Sequence, residues 1–321
     1  MIEYLLFIAG VVLLLKGADF LVDASSSMAK KMGVPTLMIG LTIVAFGTST
    51  PELIVNVFAA INGTTDITFG NIIGSNLSNI LLILGLAAII YPLRLKKSTV
   101  WKEIPFSLLA VIALFVVSND FIIDKIGVFS LTRGDGLVLL LFFTIFLYYT
   151  IESARKNKKY LEDEKLEIKE LTYARISWMM ACGLVGLYLG GMWVVEGAVF
   201  IAKQFGMSQF LISATIVALG TSLPELVTSI TAVMKKDVDL AVGNIIGSNI
   251  FNVFWILGVT SLITPIKIPY FINIDILFLV FVTVLLFLFM FIGKKHKLER
   301  WQGLLFVVLY ICYLAFIIVR G

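Results

Sequence analysis

Two kinds of side chain are almost missing from this 321-residue chain, which has one histidine and two cysteines. The Cys/His ligand sets of zinc sites therefore cannot be assembled. A disulfide framework is excluded as well, since Cys182 and Cys312 fall inside apolar segments and read as free thiols. His296 stands among Lys294, Lys295 and Lys297, a loop setting and not a metal site. Charge is also scarce, at 14 % of residues against 60 % apolar. The one long polar stretch is 152–172, so no segment reads as a soluble catalytic domain. The start, Met1-Ile2-Glu3-Tyr4, lacks the basic region of a cleavable signal peptide, and the first apolar segment is expected to remain.

What the chain has in quantity is long apolar runs. A spanning helix needs about 20 apolar residues. Ten segments qualify: 2–24, 34–60, 67–90, 103–118, 135–153, 174–202, 208–233, 240–262, 272–292 and 302–319. The fold class predicted is an all-α polytopic membrane protein with the lipid bilayer as its solvent. The formal charge of +4 resides in the connections, so it reports topology and argues against nucleic-acid binding. Nineteen of the 25 Lys and Arg fall on one side, which the positive-inside rule makes cytoplasmic. Both termini are then extracellular and the central loop is cytoplasmic, as expected for a multi-pass plasma-membrane protein.

One stretch occurs twice. Ala45-Phe46-Gly47-Thr48-Ser49-Thr50-Pro51-Glu52 returns 173 residues later as Ala218-Leu219-Gly220-Thr221-Ser222-Leu223-Pro224-Glu225. Gly70-Asn71-Ile72-Ile73-Gly74-Ser75-Asn76 returns unchanged as Gly243 to Asn249. Without gaps, residues 40–80 and 213–253 agree at 20 of 41 positions, which marks an internal duplication. The same offset aligns Asp23 with Glu196 and Gly17 with Gly190, so the duplication is expected to include spans one and six. The link between spans two and three carries no basic residue, whereas its second copy carries Lys235 and Lys236. Equivalent loops thus lie on opposite sides, and five spans per half make the second half inverted. The predicted division is 1–153 for the first repeat, 154–173 for a cytoplasmic linker and 174–321 for the second repeat.

The chemistry sits in the duplicated elements. A carboxylate in mid-span costs roughly 2.5 kcal/mol or more and marks an ion or substrate path, and Glu52 and Glu225 are such residues. Pro51 and Pro224 lack an amide hydrogen, and each ring collides with the carbonyl four residues back. Both breaks therefore free carbonyls around Ala45–Gly47 and Ala218–Gly220. Thr48 and Thr221 lie one helical turn before the glutamates on the same face. Carboxylate, hydroxyl and carbonyl oxygens are the ligands of hard cations. Asn71, Ser75 and Asn79 form a row spaced by four, as do Asn244, Ser248 and Asn252. These rows either bond between helices or face the glutamates. Gly70 with Gly74, and Gly243 with Gly247, read as close-packing pairs. Lys16 and Asp19 can pair along the first span, and Glu103 and Asp135 fall at span ends within reach of solvent. Spans four, five, nine and ten read as scaffold, and 152–172 as a solvated linker.

The paired G-T-S-x-P-E and G-N-x-x-G-S-N elements resemble the α-repeats of the sodium/calcium exchangers, within the cation/calcium antiporter superfamily. The resemblance covers both repeats and the ten-span plan. It implies Na⁺ and Ca²⁺ as transported substrates, no cofactor, no enzymatic activity and a monomer that works alone. It also implies four midplane cation sites, three suited to Na⁺ and one to Ca²⁺. Carried over, the carboxylates are Glu52 and Glu225. Hydroxyls and carbonyls come from Thr48, Ser49, Thr221, Ser222, Ala45 and Ala218, and the cage is completed by Ser75, Asn79, Ser248 and Asn252. Spans one and six would slide across this core. Where some members, notably those resembling the potassium-dependent exchangers, carry an aspartate, this chain has Asn252, which argues against K⁺ co-transport. A proton/calcium antiporter on the same fold is the alternative, because buried carboxylates can carry protons. A channel or an intramembrane acid/base enzyme fits the paired broken helices less well.

Overall fold

The computed structural model describes residues 2–63, 66–119, 130–156, 168–206, 218–268 and 271–320. Its long helices are α1 (Ile2–Met32), α2 (Thr36–Thr48), α3 (Thr50–Ile61), α4 (Thr68–Ile90), α5 (Thr99–Val117) and α6 (Arg133–Lys156). They continue as α7 (Tyr173–Gln204), α8 (Leu223–Met234), α9 (Val238–Ile263), α10 (Ile272–Phe289) and α11 (Arg300–Arg320). Among the described residues, eight helices are long and apolar enough to cross a membrane alone. Helices α2 and α3, bent by 45°, pass the same test when taken together as one span. Helix α8, with the helical turn Ala218–Gly220 before it, is the described part of the expected span 208–233. Residues 208–217 of that span lie outside the described residues.

Ser49 leaves the helical ladder at φ −84°, ψ 8°, two residues before Pro51, and α3 restarts with the proline in its first turn. Ser222 does the same at φ −85°, ψ 2° ahead of Pro224. Proline suits a helix start and disrupts a helix interior, so the bend is written into the motif. Less visible in the sequence are wide π-turns at Ser78–Ile83 in α4 and at Phe251–Ile256 in α9. They hold Asn79 and Asn252 at equivalent places. Such bulges recur at functional sites because they release backbone groups from the regular pattern.

Helices α4 and α9 form the centre. Their apolar stretches are 78 % and 83 % buried, against 28–44 % for the other long helices. The outer helices therefore keep an apolar face for lipid. Helices α1 and α7 cross along a glycine seam. A Cβ on Gly17 would stand 2.8 Å from the Gly183 carbonyl oxygen, and one on Gly10 2.9 Å from that of Gly190. Small residues permit this backbone approach. Gly10 and Gly17 lie 173 residues before Gly183 and Gly190, so duplicated glycines face one another. Two short antiparallel ladders tie the ends: β1 (Leu93–Arg94) pairs with β4 (Lys297–Leu298), and β2 (Ser130–Leu131) with β3 (Ile266–Lys267).

The loop between α8 and α9 clamps the C-terminal third of α1. Lys235 reaches Asp19 at 2.9 Å and Asp23 at 2.8 Å. Asp237 accepts from Ser26 and Thr36, both at 2.8 Å, and from the Leu240 amide at 3.0 Å as the N-cap of α9. The described end of the linker joins them. Lys169 pairs with the other oxygen of Asp23, Lys30 with Glu170, and Ser27 accepts from the Leu171 amide. The Lys30 ammonium holds the Glu170 carboxyl below its ordinary range, and the Asp23 carboxylate raises Lys169. Asp237→Ala is expected to lower stability by about 1–2 kcal/mol, since it strands two buried hydroxyls and an N-cap. Thermal unfolding in detergent checks it, and an unchanged Tm would contradict the clamp.

Several expectations need correction. Asp19 pairs with Lys235 and not with Lys16, because α1 turns Asp19 toward the α8–α9 loop. Glu103 is fully buried, hydrogen-bonded to Tyr149 at 2.5 Å, because α5 begins at Thr99 and carries it inward. The scaffold spans hold one buried ion pair among the described residues, Asp275, 2 % exposed, with Arg320 at 2.9 Å, which leaves their reading as scaffold unchanged. The linker's 168–172 segment is docked on α1 and not simply solvated.

Candidate cation site

The two motif glutamates are both fully buried. Each enters from the first turn of a helix restarted by proline, α3 for Glu52 and α8 for Glu225. Ser49, from the first copy, donates to Oε1 of Glu225 at 2.9 Å, and Ser248 donates to the same oxygen at 3.4 Å. Ser75 donates to Oε1 of Glu52 at 3.1 Å and sits 3.0 Å from the hydroxyl of Ser222, in the second copy. The two copies therefore interlock through hydroxyls, and the carboxylates share one interior. The second oxygen of each, Oε2 of Glu52 and of Glu225, is buried with no hydrogen-bond partner among the described residues. A buried anionic oxygen left unmatched is costly unless a cation or water meets it.

The asparagines cross the centre in matched pairs. Asn79 donates to Asn249 Oδ1 and Asn252 to Asn76 Oδ1, both at 2.9 Å. Each pair is related to the other by the 173-residue offset. The Oδ1 atoms of Asn79 and Asn252 stay buried and unpartnered among the described residues, so each keeps a carbonyl-type ligand free. Thr48 spends its proton on Asn244 Oδ1 at 3.0 Å, leaving its oxygen lone pairs. Thr221 is half-buried and accepts from Asn71 at 3.3 Å. The Ala45 carbonyl already accepts the Ser49 amide at 3.0 Å. Ala218 opens the helical turn that leads to Thr221 and Ser222.

Sequence reasoning missed the supports of this array. Asn56, one turn after Glu52, donates to the Glu52 carbonyl at 2.7 Å and to Asn71 Oδ1 at 2.8 Å. Ser229, one turn after Glu225, accepts from Asn244 at 3.0 Å. Their signal was present, a polar residue at the same offset from each glutamate. Asn76 and Asn249 closed the repeated motif and could have been included on that ground.

The glycine pairs behave unequally. A Cβ on Gly243 would lie 2.5 Å from the Leu37 carbonyl, and one on Gly247 2.7 Å from Ala45 Cβ. Gly70 is exposed and Gly74 half-buried, and a Cβ on either meets no described atom within 4 Å. Among the described residues, close packing therefore holds for the second pair only. One face of α9 is packed against α2, whereas residues 209–217, the second-copy match of residues 36–44, lie outside the described residues.

The array suits hard cations. It offers oxygen ligands alone, and no group of three or more His, Cys, Asp or Glu occurs among the described residues.

Known proteins share this plan. A family profile described as sodium/calcium exchanger protein matches residues 2–152 and 176–319. The putative antiporter CaxA of Alkalimonas amylolytica is 39 % identical over 80 % of each chain. The sodium/calcium exchanger MaX1 of Methanosarcina acetivorans is 30 % identical over 99 % of this chain and 98 % of its own. The solved sodium/calcium exchanger of Methanococcus jannaschii superposes with a TM-score of 0.82 at 34 % identity, over 98 % of this chain and 97 % of that one.

Proposed function

This chain belongs to the sodium/calcium exchanger family, a family of transporters and not enzymes, and on that premise we propose that it exchanges Na⁺ for Ca²⁺ by alternating access without K⁺. The observation that carries the proposal is the pair of buried glutamates, one from each motif copy, each with an oxygen unmatched among the described residues. Glu52 and Glu225 supply the charge. Ser49, Ser75, Ser222 and Ser248 bridge them, and Thr48, Thr221, Asn79 and Asn252 with the Ala45 and Ala218 carbonyls complete the oxygen cage. Two ionised carboxylates are neutralised by one Ca²⁺ and overcompensated by three Na⁺. Joint occupancy by Ca²⁺ and a full Na⁺ load is then repulsive, so the ions alternate.

Alternation needs two faces that open in turn. The α1–α7 pair, crossing on glycine, is suited to slide over the core. In this reading the ten spans are two inverted five-helix repeats, 1–153 and 174–321. The α8–α9 loop lies on the cytoplasmic side of the plasma membrane with the 154–173 linker, both termini are extracellular, and the monomer suffices.

The test is ⁴⁵Ca uptake by the purified protein in liposomes. An outward Na⁺ gradient is expected to drive uptake and to move net charge, with K⁺ dispensable. Uptake driven by a pH gradient alone would replace Na⁺ with H⁺ as the counter-ion and overturn the proposal.

A further inference from the structure

We propose that Glu196 is a cation-capture residue in the path to the site, taking Ca²⁺ from water and passing it inward. This rests on the reading that Glu52 and Glu225 hold the transported ion. Glu196 lies in α7 eight residues before its end at Gln204, roughly 12 Å along the axis at about 1.5 Å per residue. Inside the hydrocarbon core a carboxylate turned to lipid is costly, most of all at the centre and less toward the faces. Yet Glu196 is exposed. Its surroundings resolve the conflict, because it lines a cavity of about 230 Å³ together with Pro51, Tyr188, Thr221 and Pro224. A neighbouring cavity of about 280 Å³ shares Pro51, Tyr188 and Pro224. Both motif prolines and a residue of the cation cage thus form the floor beneath this side chain. Among the described residues no Lys or Arg lines either cavity.

Its duplicate shows what the chain does when such a charge is not needed in the free state. Asp23, at the same offset on α1, is neutralised by Lys235 and Lys169, each at 2.8 Å. The residue that matches Lys235 in the first half is Asn62. Glu196 forms no ion pair among the described residues. Asp23 is tied down, whereas Glu196 is bare among the described residues. A fixed negative charge at the mouth of a low-dielectric cleft raises the local cation concentration, more for a divalent ion than for a monovalent one.

The test is Ca²⁺-dependent exchange in liposomes with the protein in one known orientation, varying Ca²⁺ on each face separately. Glu196→Gln is expected to raise the apparent KM for Ca²⁺ about fivefold on the face bearing the α7 C-terminal end, as loss of one short charge interaction in water would. The maximal rate and the KM on the other face stay unchanged. Glu196→Asp restores most of the loss, and added choline chloride narrows the gap between Glu196→Gln and the parent protein. An unchanged KM on that face, an equal rise on both faces, or a fall in maximal rate alone would overturn the proposal. If the parent protein itself exchanges no Ca²⁺, the function proposed above falls. An active parent with an indistinguishable Glu196→Gln removes this inference alone.

Discussion

Replacing Glu225 with glutamine is expected to abolish coupled Ca²⁺ uptake, lowering the initial rate at least a hundredfold in liposomes. The change keeps size and hydrogen-bonding capacity and removes one of the two negative charges in the interior. Glu225 Oε1 accepts from Ser49 and Ser248, which a glutamine oxygen can still do. The lost charge falls on the unmatched Oε2, which becomes an amide donor aimed at the cation. A divalent ion then faces a site of net charge −1 in a dry interior. The deficit is many times the roughly 1.4 kcal/mol that a tenfold change needs, because charge interactions inside a protein are weakly screened. Folding is expected to survive, since a buried charge without a partner destabilises the empty protein. A Glu225→Gln protein with retained Tm and retained Na⁺-driven uptake would refute the site, and retained passive flux would point to a pore.

Gly243→Ala and Gly70→Ala, identical changes at duplicated positions, are expected to differ sharply. At Gly243 the added carbon falls 2.5 Å from the Leu37 carbonyl oxygen and 3.0 Å from the Leu41 amide nitrogen. Both are backbone atoms of α2, so relief requires α2 and α9 to separate. Overpacking of this kind costs about 3 kcal/mol, at the upper end of its usual range. A large drop in Tm should follow. At Gly70 the added carbon meets no described atom, and alanine is the better helix former by up to about 1 kcal/mol. Stability should hold or rise. Equal losses of Tm in both variants would contradict the asymmetry.

These expectations depend unequally on sequence and structure. The two glutamates were legible because carboxylates in apolar spans are rare and these two recur at one offset beside proline. Ser75 and Ser248 were legible from helical spacing. The crossed asparagine pairs were not, because spacing along one helix does not reveal which helix lies opposite. Asn79 could have turned toward a glutamate or toward Asn249, and only the packing of α4 on α9 decided for the latter. The π-turns at those asparagines leave no clear sequence mark, since they arise where two helices must fit a common centre.

By itself, then, the sequence determined the apolar spans, the duplication, the proline-broken helices and the oxygen-rich chemistry at their centre. These follow from residue type and period, which are local properties. Tertiary structure alone decided that Gly243 is packed against α2 while Gly70 is exposed, that Asp23 is neutralised while Glu196 has no ion pair among the described residues, and that Glu103 is buried. Duplicated residues share a local code but not a common surrounding, because the two halves are packed differently around one site.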